Sequence, residues 1–217
     1  MNQFSLETGF EIRNLKLERA KIFLNHFGLK GIKFAGVSGS VSYIPVESDD
    51  IDIFIISRNG KLWPVLLRAF VLRRMLGMDD ICISLTMDEK FADEMFSQEG
   101  DYLLASDSYH VIPLIGKDYY DGLLSKSPFI RSYIPQWQSE STPVDMNVGQ
   151  SVHILNVLLF MILAPFIYIK TARNEKKSVL KVGNEGRYRA VLGIHKFYLD
   201  TQKYHDLKEK LSGGRHA

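Results

Sequence analysis

Asp50-Ile51-Asp52-Ile53-Phe54-Ile55-Ile56-Ser57 is the stretch on which the fold turns. Its β-branched and aromatic run predicts a strand, apolar on both faces beyond the carboxylates, as in a sheet covered on two sides. Residues two apart along a strand share a face at a spacing of about 6.5 Å. Asp50 and Asp52 therefore project together, with Ile51, Ile53 and Ile55 opposite. Upstream, residues 32–38 read as a strand ending in Ser38-Gly39-Ser40, and Leu15, Leu17, Ala20, Ile22, Phe23 and Phe27 give a helix over 14–28 that Gly28 stops. Downstream of Asn59-Gly60, residues 62–76 read as an apolar helix and 81–86 as a third strand. Strand, helix and strand within about 40 residues is α/β organisation.

Two neighbouring carboxylates at the tip of an apolar strand repel each other unless a positive group joins them. A hard divalent cation answers that need, since Mg²⁺ takes a few carboxylate oxygens and completes its octahedron with water and phosphate. Nine residues separate Gly39-Ser40 from Asp50. Glycine permits a tight turn and close approach, and a helix starting there would offer amides to phosphate. Anion cradle and cation-binding carboxylates together are what positioning a nucleoside triphosphate requires. The plainer alternative is an acidic turn entering a buried strand. An EF-hand is excluded, because its loop glycine and closing glutamate are missing at the required offsets.

Gly39-Ser40 followed by Asp50-Ile51-Asp52 resembles the signature of the DNA polymerase beta-like nucleotidyltransferase superfamily. More closely, SGSVSYIPVESDDIDIFII from Ser38 to Ile56 looks like the minimal nucleotidyltransferase-type domains of prokaryotes. The resemblance is specific over about residues 14–86 and weaker to 135. It implies a small mixed sheet with flanking helices, and metal-dependent transfer of a nucleoside monophosphate from an NTP to a hydroxyl acceptor with release of pyrophosphate. By the same resemblance Asp50 and Asp52 would ligate Mg²⁺ (or Mn²⁺), and Gly39 and Ser40 would hold the β and γ phosphates. The acceptor is left open among protein, small molecule and RNA.

One departure from that family matters. A third carboxylate usually stands on a later strand, and residues 81–86 contain none. Cys82 and Ser84 share the face where it belongs. Asp80, of the same parity, is the expected surrogate and third catalytic acid. Glu47 and Asp49 read as loop residues able to contribute through water. Without a third ligand the clamp on attacking and leaving oxygens is incomplete, so a catalytically degenerate NTP-binding or scaffold module is the alternative. Arg58, Lys61, Arg68, Arg73 and Arg74 follow within 17 residues that hold no acid. Arg58, directly after the strand, is the expected triphosphate contact; the others read as a solvated helix face.

The 217 residues carry 27 Lys and Arg against 25 Asp and Glu, a net charge of +2, too balanced for a general nucleic-acid coat. Cys82 is the only cysteine, which excludes an intramolecular disulfide and a cysteine-based zinc site and fits a cytoplasmic, reducing compartment. The first 13 residues show no secretory signal pattern. Between Val152 and Ile169, 15 of 18 residues are apolar, and Lys170, Arg173, Lys176 and Lys177 follow. The reading adopted is a buried helix, kinked or interrupted at Pro165; membrane attachment, peripheral or anchored, is the alternative. The organisation expected is a nucleotidyltransferase-like unit over 1–135 with its core at 14–90, a linker at 136–150, and a helical region over 151–217. Seven basic residues between Lys170 and Arg189 suit an anionic lipid, an RNA backbone or a solvated helix end. Arg189 and His195 superficially match a ribonuclease pair of helical toxins, a match that Gly193 interrupts. The remaining histidines read as packed or surface residues.

Overall fold

The computed structural model describes residues 3–136 and 153–213. Helix α1 (Gln3–Phe27) runs to Gly28, whose φ of 70° ends it in the left-handed conformation expected of a C-terminal glycine. Strand β1 (Ile32–Ser38) follows, then a single 3-10 turn, Gly39–Ser42, and β2 (Ile51–Ser57). Helix α2 (Leu62–Met75) carries the chain to β3 (Ile81–Asp88), which pairs parallel to β2. Short helices α3 (Glu89–Ser97) and α4 (Tyr102–His110), the edge strand β4 (Ile112–Ile115), and helices α5 (Lys117–Lys126) and α6 (Pro128–Tyr133) come next. The long helix α7 (Ile154–Val182), the hairpin β5 (Tyr188–Leu192) and β6 (Lys196–Thr201), and α8 (Gln202–Gly213) complete the described chain.

These strands form one mixed sheet in the order β4-β1-β2-β3-β6-β5, in which only β2 and β3 are parallel. Alternation along β2 divides the core as its sequence requires. Ile51, Ile53 and Ile55 join Ala35, Val37, Ile81 and Ile83 beneath α1, α2 and α7, while Phe54 and Ile56 join Phe34 and Met87 beneath α3–α6. Both faces are covered, as the apolar run demanded. The fold is thus the mixed α/β sheet with flanking helices that the sequence implied.

The C-terminal region departs from expectation in two ways. It is mostly helical, yet it also contributes β5 and β6, and β6 pairs with β3 between Leu85↔Tyr198 and Met87↔Lys196. The C-terminal region therefore finishes the sheet of the N-terminal unit instead of packing separately. Nearly all of the expected linker, from 137 onward, lies outside the described residues. The second departure is α7. It continues through Pro165 without interruption, and only 6% of its most apolar 18-residue window is buried. The expected buried helix is instead a half-packed one. One face holds Leu159, Phe160, Leu163, Ala164 and Ile167 against the core, and Phe160 lies 5.1 Å from the Trp63 ring.

Asn156, a polar residue awkwardly placed in an apolar run, explains how α7 is fixed. Helix α2 begins without a side-chain cap, leaving orphan amides in its first turn. The Asn156 side-chain carbonyl accepts from the Trp63 amide at 2.8 Å, and its NH₂ donates to the Ile194 carbonyl at 3.2 Å. One fully enclosed side chain thereby caps α2 from another helix and ties in the β5–β6 turn. His195 fastens the same turn: its Nδ1–H donates to the fully buried Asp88 carboxylate at 2.6 Å. Arg189 pairs with Asp200 at 2.9 Å, so the two members of the apparent ribonuclease pair are engaged in separate structural bonds.

Candidate active site at the open end of the sheet

Three strand ends meet where β1 stops, β2 starts and β3 starts. Ser38 lies opposite Asp52 in the β1–β2 register, and Asp52 lies opposite Cys82 in the parallel β2–β3 register. Between Asp52/Cys82 and Phe54/Leu85 the register shifts, so β3 carries one extra residue beside Ser84. Such a bulge bends a strand and re-aims its side chains. Ser84 and Cys82 stand beside the Asp52 carboxylate and favour its charged form.

These residues line a cleft of about 1370 Å³, large enough for a nucleoside triphosphate and part of an acceptor. Ser38, Gly39, Asp50, Asp52, Cys82 and Ser84 stand in one wall. Gly39 is held at φ 67°, and a Cβ added there would fall 2.3 Å from Asp52 Oδ2. Only glycine lets the backbone lie against that carboxylate. The anticipated helix N-terminus after Gly39 is just the one 3-10 turn, in which Ser42 Oγ donates to the Gly39 carbonyl at 2.7 Å and Tyr43 N–H to the Ser40 carbonyl at 3.0 Å. Any anion there meets local amides and not the dipole of a long helix. Ser40 is half-buried in this turn and is not part of the cleft wall.

The loop leading into Asp50 is fixed from α1. Lys16, nearly buried, donates to the carbonyls of Glu47 (3.1 Å) and Asp49, while Asp49 Oδ2 accepts from the Val46 amide at 2.9 Å. Glu47 and Asp49 thus shape the turn. Asp50 is exposed and Asp52 half-buried, and neither forms an ion pair among the described residues. Burial holds the Asp52 carboxyl above its ordinary range; Ser84 and Cys82 oppose this, and the charges of Asp50 and Asp49 add to it. The Cys82 thiol is pushed up to about 12, first by burial and then by the charges of Asp52 and Asp50. Carboxylate charge dominates this corner, and the Arg73 charge offsets only part of it at Cys82.

Asp80 is placed elsewhere than the sequence implied. Strand β3 begins only at Ile81, after a turn closed by Ile81 N–H donating to the Met78 carbonyl at 3.1 Å, so strand parity does not extend back to Asp80. Its carboxylate turns to α1 and takes both Arg19 Nη2 (2.8 Å) and Arg19 Nε, an ion pair that holds the Asp80 carboxyl below the usual carboxylate range. Its neighbour Asp79, and not Asp80, lines the cleft. Arg58 is also displaced from its expected role. It follows the far end of β2, six residues past Asp52, and at about 3.3 Å per residue this is roughly 20 Å away; its amide donates to the Gly31 carbonyl.

The cations of the cleft come from helices that read as solvated in the sequence. Arg73 and Arg74, in the last turn of α2, and Lys170 of α7 line the same cleft. Arg73 also secures the α2–β3 turn by donating to the Met78 (3.3 Å) and Asp79 (2.8 Å) carbonyls. Topology could have revealed this. In a parallel β2-α2-β3 crossover the helix returns to the end where β2 started, so its C-terminal arginines arrive at the end of the sheet that carries Asp50 and Asp52.

No protein family, curated protein or solved structure matches this chain. Among the described residues no three His, Cys, Asp or Glu side chains gather into a metal-holding group. The two carboxylates nonetheless suit Mg²⁺, which is bound through one or two protein carboxylates while water and phosphate fill the remaining positions.

Proposed function

We propose that this protein is a divalent-cation-dependent nucleotidyltransferase, binding an NTP in the cleft at the strand ends of β1, β2 and β3 and transferring its nucleoside monophosphate to a hydroxyl acceptor. The observation that carries the reading is that Asp50 and Asp52 line one cleft with Gly39 packed against Asp52. Asp50 and Asp52 would hold Mg²⁺ or Mn²⁺, which when bound neutralises triphosphate charge and polarises the reacting phosphoryl group. Gly39 and the turn after it would keep the backbone close to the phosphates. Arg74 and Lys170, which line the same cleft, would supply positive charge for the spreading negative charge, and the enclosing strands would hold donor and acceptor in line. In the reaction the acceptor oxygen forms a bond to the α-phosphorus and the bond from that phosphorus to the bridging oxygen breaks. Pyrophosphate leaves, and the acceptor proton passes to solvent. A cytoplasmic setting, where NTPs and reduced thiols coexist, belongs to the same proposal.

A second reading, an NTP-binding module without turnover, is favoured by one observation. Opposite Asp52 stands Cys82, with Ser84 beyond it, and Asp79, an acid that also lines the cleft, comes from a turn. Pyrophosphate release from each of ATP, GTP, CTP and UTP, measured with Mg²⁺ and with Mn²⁺, separates the two. Release that disappears in Asp52→Asn supports the transferase; NTP binding without release across acceptor classes supports the module.

A further inference from the structure

Half of α7 faces outward, and that half is apolar over its first four turns. Ile154, Leu158, Met161, Ile162, Phe166 and Ile169 are each half or more exposed. At 100° per residue these side chains fall along one stripe, and Arg173 and Lys176 continue the same stripe, with Lys170 and Lys177 at its border. Exposed apolar area of this extent marks an interaction surface.

We infer that this stripe docks the protein on the surface of an anionic lipid bilayer, with α7 lying in the interface and its basic end among the headgroups. An apolar face that turns basic along the same line matches acyl chains and anionic headgroups together. A second copy of the chain matches it less well: antiparallel packing sets Arg173 and Lys176 against apolar side chains, and parallel packing sets like charges against each other. Spanning is opposed by the packed face. Asn156 caps α2 and holds the Ile194 carbonyl, and Phe160 packs on Trp63, so the helix is committed along its length to the protein body. Phe166 and Lys170 also line the cleft, so docking brings the cleft mouth to the headgroup layer. The inference is independent of the transferase reading, because it uses neither carboxylate.

The test is flotation of the full chain with vesicles of phosphatidylcholine alone, and of phosphatidylcholine with roughly one-third phosphatidylglycerol. Co-flotation with the anionic vesicles is expected, weakened by salt, reversed by alkaline carbonate, and reduced about 10- to 30-fold in Arg173→Glu/Lys176→Glu. Leu158→Glu/Ile162→Glu is expected to abolish it, with thermal unfolding of both variants unchanged because the altered side chains are exposed. Absence of flotation, flotation indifferent to both double variants, or retention after carbonate, as for a spanning helix, overturns the inference. So does a stable dimer in light scattering that Leu158→Glu/Ile162→Glu dissociates.

Discussion

Replacing Gly39 with alanine tests the closest contact in the candidate site. Two costs are expected. Gly39 sits at φ 67°, and an L side chain held in the left-handed region costs roughly 1–2 kcal/mol. The new Cβ also falls 2.3 Å from Asp52 Oδ2, against an ordinary contact of 3.4–4 Å, so the carboxylate must retreat by about 1 Å. Driving Asp52 off its rotamer adds about 0.5–1.5 kcal/mol. The sum, about 2–3 kcal/mol, corresponds to a fall in melting temperature of roughly 5–10 °C for a chain of this size. The functional cost is larger, because a reacting group misplaced by about 1 Å loses on the order of 100-fold in rate. Gly28→Ala is the control, since Gly28 has φ 70° and open space where its Cβ would be. Calorimetric unfolding and Mn²⁺–NTP titration of both variants separate backbone strain from displacement of Asp52. If Gly39→Ala melts like Gly28→Ala and keeps wild-type Mn²⁺–NTP affinity, Gly39 does not lie against a functional carboxylate, and the geometric argument is refuted.

Three further outcomes are expected. Asp79→Asn lowers pyrophosphate release while Asp80→Asn leaves it unchanged, and steady-state assays showing the reverse would return Asp80 to the site. Because Asp80 has a depressed folded-state pKa, its pair with Arg19 stabilises the protein above the ordinary carboxylate range and loses that contribution as pH falls through the depressed value. With both partners over a third exposed, or nearly so, the effect is at most about 1 kcal/mol, visible in denaturant midpoints of wild type against Asp80→Asn at neutral pH and absent in strong acid. Asn156→Leu strands the Trp63 amide and the Ile194 carbonyl, at a cost of about 1–3 kcal/mol per group, and a melting temperature within a degree of wild type would contradict its capping role.

The DIDIFII run made the doubly covered strand legible, because period-two alternation needs no tertiary information; Asp50 stands one residue ahead of that strand, and it lines the cleft together with Asp52. Gly28 and the Gly39 turn were readable for the same local reason. Asp80 was misplaced because parity was carried across a turn in which no strand yet exists. Arg58 was favoured for its nearness in sequence, although a strand separates its two ends by its full length. Strand β4 was hidden by Pro113, which an edge strand tolerates. The β5–β6 hairpin was hidden by its Gly193-Ile194-His195 turn and by basic residues that suggested a helix end. The 15 apolar residues before Lys170 were visible as a helix, but which half of it packs on α2 depends on Asn156 meeting Trp63, a contact across 93 positions.

Electron paramagnetic resonance of Mn²⁺ in the presence of NTP tests most directly whether the two acids form one cation site. Wild type should bind Mn²⁺ more tightly when NTP is present, and Asp50→Asn/Asp52→Asn should lose that coupling while unfolding at an unchanged or higher temperature. Equal Mn²⁺–NTP binding by wild type and the double variant would contradict the account.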